Sequence, residues 1–254
     1  MRDVQKDYDP RDIPINKVGI KNLKYPIEVL DKSNRMQKTV AEINMYVDLP
    51  HNFKGTHMSR FIEILNRFRG KITYEEIEKL LIEVKNEFKA KTSRIELIFP
   101  YFIEKQAPVT GSKGIVEYTG KFIASYNETY DFVLGTTVPV TTLCPCSKGI
   151  SKKGAHNQRA LVSVYISSRK FCWLEDLIRL IEDSASSEIF SLLKREDEKC
   201  VTEKAYENPK FVEDVVRDIA ERLNSDPNII SYTIECESME SIHNHNAYAY
   251  IEKR

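Results

Sequence analysis

The feature of this sequence that most constrains its fold is an order of strand and helix patterns that occurs twice. In each half, two segments of alternating apolar and polar residues precede two segments with apolar residues at helical spacing, and two more alternating segments follow. Period-2 alternation indicates strands buried on one face, and helical stripes indicate helices that pack on that face. The sequence therefore predicts an α+β protein of two tandem ββααββ modules with antiparallel sheets.

The two predicted modules meet near the middle of the chain. The first covers residues 1–130 and includes an N-terminal extension, and the second covers residues 131–254. The clearest strand pattern is QKTVAEINMYVDLP, in which Ile43, Met45 and Val47 alternate with polar residues. A shorter strand pattern, YPIEVLD, precedes it.

Helix patterns follow these strands in the first module. One lies at residues 59–69, and the next begins after Thr73, where Thr73 and Glu76 predict a capping box. The apolar residues of both segments recur at helical spacing, so each helix would bury one face.

The helices of the second module are also visible in the sequence. An apolar stripe predicts a helix from Leu174 to Leu192. The next helix is predicted to begin with Asn208 as N-cap and Pro209 in its first turn. The carboxylate-rich segment of residues 194–209 predicts a polar connection that faces solvent.

Sheets of this kind leave their outer strands unpaired. A long exposed edge invites pairing with another chain, and barrel closure by oligomerisation removes it. We therefore expect a homo-oligomer.

The charge balance limits the classes of partner. Lysine plus arginine and aspartate plus glutamate both number 38, so the formal net charge is zero. A protein that binds duplex DNA or RNA usually carries a broad positive field, which this composition excludes. An anionic ligand must instead be bound by a local cluster of cations.

The sequence is typical of a cytoplasmic protein. No stretch approaches 18 consecutive apolar residues, and the N-terminal segment MRDVQKDYDPRDIP is charged throughout. We therefore expect no membrane segment. The odd number of cysteines suits reduced thiols better than a disulfide framework: Cys144, Cys146, Cys172, Cys200 and Cys236.

The segment LCPCSKGISKKGAHNQR, residues 143–159, concentrates groups that can do chemistry. Cys144 and Cys146 stand two apart, so on an extended chain both side chains face the same side, with Cβ atoms roughly 6.5 to 7 Å apart. Two thiolates on one tetrahedral ion lie only about 3.8 Å apart, given metal–sulfur bonds of about 2.3 Å. We expect one metal ligand and one free thiol that face one pocket. The alternative is two ordinary cysteines near a turn.

His156 can return to these cysteines. It follows Cys144 across a loop in which Gly149 and Gly154 let the backbone turn freely. Cations surround the same turn and could hold phosphate oxygens, unless the loop is simply solvated: Lys148, Lys152, Lys153 and Arg159.

Two further segments carry candidate site residues. His243 and His245 stand two apart on one face of a predicted strand, which suits metal binding or acid–base chemistry. Glu213 lies at the edge of an apolar helical stripe and could accept two parallel N–H bonds from a planar guanine edge. Its alternative role is an i,i+4 ion pair with Arg217.

A last candidate lies at the start of the first helix. GTHMSRF places His57 and Arg60 at a helix N-terminus, where an anion is stabilised. The simpler interpretation is that Ser59 caps this helix.

Four segments together resemble one family. GTHMSRF, PVTTLCPCSKGISKKGAHNQR, DEKCVTEKAYENPKFVEDVVRD and SIHNHNAYA, in this order, are similar to the prokaryotic GTP cyclohydrolases of type IB, over nearly the whole chain. The paired-histidine metal motif of the type IA enzymes is missing. The resemblance implies the tunnelling fold, in which two ββααββ modules per chain assemble around a barrel, here expected as a tetramer, with active sites at subunit interfaces.

The resemblance also implies the reaction and its metal. GTP and water would give 7,8-dihydroneopterin triphosphate and formate, the first step of folate biosynthesis. Cys144 corresponds to a metal ligand, Glu198 and His156 to candidate co-ligands, and His243 and His245 to the family's histidine pair. A mixed sulfur, nitrogen and oxygen set suits Zn²⁺, Mn²⁺ or Fe²⁺.

Other positions correspond to groups that act on the substrate. Cys146 and His156 match residues of proton transfer, and Glu213 matches the carboxylate that anchors guanine. Cations and the first helix would bind the rest of GTP: Lys148, Lys153, Arg60 and His57. A bound divalent ion would lower the pKa of water towards 7 and so supply hydroxide for attack on guanine C8.

Two alternatives remain at this point. Within the same fold, a nitrile reductase of the deazaguanine pathway uses a cysteine nucleophile with NADPH. From another class, a non-catalytic oligomer could use Cys144 and His156 to hold a structural metal.

Overall fold

The computed structural model describes residue 5 and residues 7–51, 53–69 and 72–254, apart from the side chain of Glu75. Residues 1–4 and 6 of the predicted N-terminal extension lie outside these ranges. The described elements are β1 (Ile15–Asp31), β2 (Arg35–Leu49), α1 (Met58–Arg67), α2 (Tyr74–Phe88), β3 (Ser93–Gln106), β4 (Lys113–Tyr126), β5 (Tyr130–Leu143), α3 (Pro145–Ile150), β6 (Asn157–Ser168), α4 (Leu174–Glu182), β7 (Ser187–Glu188), α5 (Arg195–Glu207), α6 (Val212–Ser225), β8 (Ile229–Ser238) and β9 (Ala247–Lys253). The predicted α+β class with antiparallel sheets is confirmed.

The chain forms two compact units that are not continuous in sequence. The first contains Met1–Pro100 and Lys121–Val133, and the second contains Tyr101–Gly120 and Leu134–Arg254. The predicted modules follow the order of elements, whereas these units follow packing in space. The module boundary at residue 130 therefore stays a prediction.

In the first unit, β1 and β2 form a long antiparallel hairpin. Its register runs from Ile15↔Leu49 to Asp31↔Arg35, so β1 is much longer than the YPIEVLD pattern predicted. β2 pairs antiparallel with β3. The apolar stripes of α1 and α2 supply buried residues as predicted: Phe61, Ile64, Leu65, Ile77, Leu80, Leu81 and Val84.

The predicted capping box at α2 is wrong. Thr73 is the N-cap residue, but its side chain makes no capping hydrogen bond. Glu76 instead accepts a hydrogen bond of 2.7 Å from Lys79 on the exposed side of the helix. The helix ends with Lys89 in the left-handed region, at φ 50°.

In the second unit, the strands pair in the order β5, β6, β8 and β9, and β7 adds to β5. All of these pairs are antiparallel. The core side chains come from the sheet and from α4 and α6: Val138, Val140, Val162, Val164, Ile234, Leu177, Ile178, Ile181, Val215, Ile219 and Leu223. None of the helices in the described ranges is both long enough and apolar enough to cross a membrane.

The predicted helix from Leu174 to Leu192 stops at Glu182. Beyond it, serine hydroxyls compete for backbone groups, which disfavours helix continuation. Ser184 donates its hydroxyl to the Leu180 carbonyl at 2.8 Å, and the buried Ser186 hydroxyl accepts from the Leu143 amide at 3.1 Å. The chain then extends as β7.

The segment predicted as a polar connection is the helix α5. Glu196, Asp197 and Glu198 occupy its first turn, where carboxylates stabilise the helix dipole. Asp197 also caps the helix, since its carboxylate accepts the Lys194 amide at 3.0 Å. This run of charged residues therefore forms the N-terminus of a helix rather than a loop.

The start of α6 also differs from the prediction. Asn208 does not cap this helix, because its side-chain amide donates to the Ala185 carbonyl at 2.8 Å. The helix begins at Val212, after Phe211 as N-cap. Asp214 closes this end by accepting the Phe211 amide at 2.9 Å.

Candidate active site

A cavity in the second unit collects several of the predicted site residues. Its volume is about 320 Å³, at the lower end of the range for ligand pockets. Its walls come from the end of β5, the start of β6, the first turn of α6 and the connection from β8 to β9. The predicted residues that line it are Cys144, His156, Glu213, His243 and His245.

Cys144 lies at the point where the chain leaves β5. It is the N-cap residue of α3, which Pro145 begins, and its sulfur accepts from the Ser147 amide at 3.4 Å. This turn gives the two cysteines different surroundings. Cys144 lines the cavity, whereas Cys146 is exposed and does not line it in the single chain, so a pocket shared by both thiols stays a prediction.

The loop sequence predicted that His156 returns to Cys144, and the backbone contacts confirm this prediction. The Cys144 amide donates to the His156 carbonyl at 3.1 Å. The Ser147 hydroxyl donates to the Cys144 carbonyl at 3.1 Å and accepts from the His156 amide at 3.2 Å. Gly154, at φ 135°, supplies the backbone freedom for this turn. Ser147 thus links the two site residues, a role that the sequence did not reveal.

The imidazole of His156 begins a row of polar side chains. Its Nδ1 lies 2.8 Å from Gln158 Oε1 and 3.9 Å from Glu240 Oε2. Gln158 Nε2 donates to Thr142 Oγ1 at 3.1 Å, and that hydroxyl lies 3.2 Å from Ser238 Oγ. Sequence reasoning missed these residues, although Gln158 stands two positions from His156 at the start of a strand and so shares its face.

His243 and His245 lie in a loop, not on the predicted strand. β8 and β9 pair only as far as Ser238↔Ala247, so the residues between them leave the sheet. The two rings stack with centroids 5.1 Å apart and planes 20° apart. Both histidines are exposed, and both line the cavity.

Glu213 lies in the first turn of α6, and the backbone of this region is tied to β5. The Lys210 amide donates to the Leu143 carbonyl at 3.0 Å, and Lys210 Nζ forms an ion pair with Asp218. No ion pair joins Glu213 to Arg217 among the described residues, so the alternative role of Glu213 is not found. The carboxylate is open to the cavity.

Cys236 lies in the same region but cannot act as a nucleophile. It is fully buried in β8. Burial raises the pKa of its thiol to about 12, and the Glu213 carboxylate contributes to the increase. The thiol therefore stays protonated at neutral pH, and Cys144, not Cys236, is the cysteine that lines the cavity.

Comparison with known proteins identifies the family. The family model described as "Type I GTP cyclohydrolase folE2" matches residues 1–249. The chain belongs to the FolE2 family of type I GTP cyclohydrolases. The resemblance inferred from the four sequence segments is thereby confirmed.

FolE2 relatives are similar along the full length of the chain. A protein of Syntrophus aciditrophicus (strain SB) named "GTP cyclohydrolase FolE2" is 58% identical over 254 residues, which cover 100% of each chain. A protein of Geotalea uraniireducens (strain Rf4) with the same name is 56% identical over 253 residues, which cover 100% of this chain and 93% of the relative.

Solved structures identify the fold of this FolE2 member. The uricase of Arthrobacter globiformis matches with a TM-score of 0.51 and 10% identity, covering 94% of this chain and 92% of the other. A uricase from Bacillus fastidious matches with a TM-score of 0.52 and 7% identity, with the same coverage of both chains. These likenesses confirm the predicted tunnelling fold and concern the fold alone.

Several residues predicted from the FolE2 resemblance lie outside the cavity. Glu198 is exposed on α5. Lys148 Nζ donates to the Tyr206 carbonyl and lies 4.4 Å from the centre of the Tyr206 ring, so this cation joins α3 to α5. Lys153 is exposed in the loop before β6. Their roles in metal and phosphate binding stay predictions.

His57 and Arg60 belong to the first unit, whereas the residues that line the cavity belong to the second. His57, not Ser59, is the N-cap residue of α1. Arg60 Nη1 lies 3.4 Å from Glu87 Oε1. The capping role considered for Ser59 is therefore wrong, and substrate binding by His57 and Arg60 stays a prediction.

The donor atoms of the cavity suit a divalent ion by type. Cys144 offers a thiolate, His156 an imidazole and Glu240 a carboxylate, the borderline set that first-row divalent metals accept. Within the described ranges, no three such side chains already lie close enough together to hold an ion. The residues thus fit a metal by chemistry, with ligands that are not yet gathered around one point.

Proposed function

We propose that this protein is a metal-dependent GTP cyclohydrolase that converts GTP and water to 7,8-dihydroneopterin triphosphate and formate, the first step of folate biosynthesis. The observation that carries the proposal is one cavity lined by Cys144, His156, Glu213 and the histidine pair, in a member of the FolE2 family. The curated relatives bear the name of the same activity.

Cys144 and His156 are the residues that would hold the divalent ion. Cys144 is already oriented by the Ser147 amide, and His156 by its link to Ser147 and by Gln158. The chemistry that such an ion would supply is a water whose pKa is lowered to about 7, a source of hydroxide at neutral pH. Zn²⁺, Mn²⁺ and Fe²⁺ all accept this donor set.

Glu213 would anchor the base. Its carboxylate lies in the first turn of α6 and accepts no hydrogen bond from the described residues, so it can accept two parallel N–H bonds from the planar guanine edge.

Protons must be moved when the imidazole ring of guanine opens and formate leaves. His156, His243 and His245 border the cavity, and histidine is the side chain suited to proton transfer near neutral pH. The FolE2 resemblance assigns a similar role to Cys146, whose thiol is exposed beside the cavity residue Cys144.

A homo-oligomer would complete this site. Cys146, Lys153 and Glu198 are exposed on the single chain, where a neighbouring copy can place them at a shared cavity. In the second unit β9 pairs with β8 alone, and its Tyr248 and Tyr250 are exposed. These features support assembly through strand edges, and we propose a tetramer.

The lysine-rich loop would hold the triphosphate. Lys152 and Lys153 are exposed at its turn, where they can follow phosphate groups without disturbing the fold. His57 and Arg60, at the start of α1, are the further residues proposed to bind the nucleotide.

The deciding experiment incubates the protein with GTP and each of the three metal ions. Formate release, and a fluorescent neopterin after oxidation, are the expected results, and chelation should abolish turnover while circular dichroism and the oligomeric state stay unchanged. NADPH consumption with a nitrile substrate would instead identify the reductase. Unfolding on chelation, without GTP turnover in any metal, would identify a structural metal.

A further inference from the structure

A row of hydrogen-bonded side chains leads from His156 into the sheet. We infer that Gln158 is a positioning residue that, with Glu240, selects which ring nitrogen of His156 carries the proton, and that Thr142 and Ser238 hold Gln158 in place. The importance of this selection for turnover rests on the proposed function, whereas the protonated nitrogen itself can be observed without it.

The row crosses neighbouring strands of the second unit. Thr142 on β5 is paired with Gln158 on β6, and Ser238 ends β8 on the other side of β6. Thr142 and Ser238 are fully buried or nearly so, at 1% and 0% exposure. Their hydroxyls lie 3.2 Å apart, so each is held by the other in a place where water does not compete.

These hydroxyls can donate or accept, so they hold the amide of Gln158 in place and leave its two orientations to be decided at the His156 end. When Nε2 donates to Thr142 Oγ1, at 3.1 Å, Oε1 faces Nδ1 of His156, at 2.8 Å. An amide oxygen only accepts, so Nδ1 must donate and carry the proton. In the reverse orientation, the amide nitrogen would face Nδ1 and the proton would move to Nε2.

Glu240 favours the first arrangement. Its Oε2 lies 3.9 Å from the same Nδ1, and both side chains are largely buried, with 13% and 14% exposed. A carboxylate at this distance attracts an N–H group on Nδ1 and repels a lone pair there, so it favours the tautomer with the proton on Nδ1. The nitrogen that faces Gln158 and Glu240 is therefore the protonated one.

The consequence is a His156 ring whose Nε2 keeps its lone pair. This is the form in which a histidine binds a metal ion or accepts a proton, and its second nitrogen is usually held by such a neighbouring group. Gln158 acts through His156 and need not touch the substrate.

The test is NMR of the metal-free protein labelled with ¹⁵N-histidine, at a pH of about 8, above the ordinary pKa of histidine. The chain has 5 histidines, and the signals of His156 are assigned by their loss in His156→Ala. We expect Nδ1 to be protonated in the unaltered chain and in Gln158→Glu, which keeps the acceptor. In Gln158→Met the Nδ1-protonated fraction should fall, because Glu240 alone is too distant for a hydrogen bond.

A second readout is the dissociation constant for Mn²⁺, measured by electron paramagnetic resonance. Gln158→Met should weaken binding about 10- to 100-fold, as is usual when a group behind a ligand is lost. Gln158→Glu, which keeps the acceptor and adds a negative charge, should not weaken binding. Gln106→Met is the matched control, since Gln106 is an exposed glutamine at the end of β3 and does not line the cavity.

Thr142→Val serves if Gln158→Met does not fold. It removes the partner that holds the Gln158 amide against His156, so the Nδ1-protonated fraction of His156 should fall, as in Gln158→Met. A proton on Nε2 in the unaltered chain, or a tautomer that neither variant changes, overturns the inference. Absence of GTP turnover, with Nδ1 protonated as expected, contradicts the proposed function and leaves the positioning role intact.

Discussion

Two carboxylates in the first turns of neighbouring helices have opposite surroundings. Asp197 of α5 is fully buried and accepts hydrogen bonds from Thr110, Val109 and Lys194. Glu213 of α6 is exposed to a cavity and accepts none from the described residues. The first carboxylate is saturated by its own chain and holds the fold, whereas the second keeps its oxygens for a ligand.

The variant Glu213→Ala tests most directly whether this carboxylate binds the substrate. We expect kcat/KM for GTP to fall by about 10³-fold, because each of two hydrogen bonds to a charged group contributes about 1.5–3 kcal/mol. Thermal unfolding should not change. Steady-state kinetics measure the loss, and Glu221→Ala, an exposed carboxylate on the same helix, is the control. Equal kinetics in both variants would remove Glu213 from the site.

Asp197→Ala should give the opposite result. The variant leaves the backbone amides of Val109 and Thr110 without their acceptor, so the unfolding midpoint in urea should fall clearly. KM for GTP at low temperature should stay close to that of the unaltered chain. Glu196→Ala, at an exposed position in the same helical turn, is the matched control. An unchanged midpoint would show that the buried contacts do not stabilise the fold.

The same carboxylate predicts a pH effect. Burial alone would raise the pKa of Asp197, but the hydrogen bonds from Thr110, Lys194 and Val109 outweigh it and hold the pKa below its ordinary value. A group with a lowered folded pKa adds stability above its unfolded pKa of about 3.9, and this stability is lost as the pH falls further. The midpoint of unfolding in urea, measured from about pH 5 to about pH 2, should therefore fall less steeply in Asp197→Asn than in the unaltered chain. Parallel curves would contradict the assignment.

The smallest expected effect is a difference in reactivity between two thiols. Cys236 is buried and Cys144 borders the cavity, so they repeat the contrast between the two carboxylates. Iodoacetamide should leave Cys236 unmodified in the folded protein, because its thiol is buried and its pKa is raised to about 12. Cys144 should react, and more slowly with Mn²⁺ present. Mass spectrometry of peptides measures both. Modification of Cys236 without unfolding would show that β8 opens readily.

Much of the fold follows from local patterns. Alternation predicted the strands, and helical stripes predicted α1, α2 and α6, because both patterns record which face is buried. The helix α5 escaped prediction since its charged sequence offers no apolar stripe. It is attached by Asp197 to Val109 and Thr110, residues nearly ninety positions away, and no local window contains such a contact.

The site was predictable where single residues carry the chemistry. Cys144, His156 and Glu213 were identified by residue type and by the family resemblance, and they line one cavity. The helical turn at Cys146 was missed, because Pro145 begins α3 where an extended strand was assumed. Glu240 was missed because nothing in its local sequence indicates that it faces His156.

The hydroxyl of Ser147 has a consequence for how this segment can evolve. Because it bonds to the backbone of both Cys144 and His156, those two positions keep their spacing whatever lies between them beyond α3. Residues 151–153 are exposed, whereas Gly154, at φ 135°, holds a backbone conformation that a side chain would strain. Insertions before Gly154 should therefore be tolerated, since they can lengthen the exposed turn without moving Cys144 away from His156.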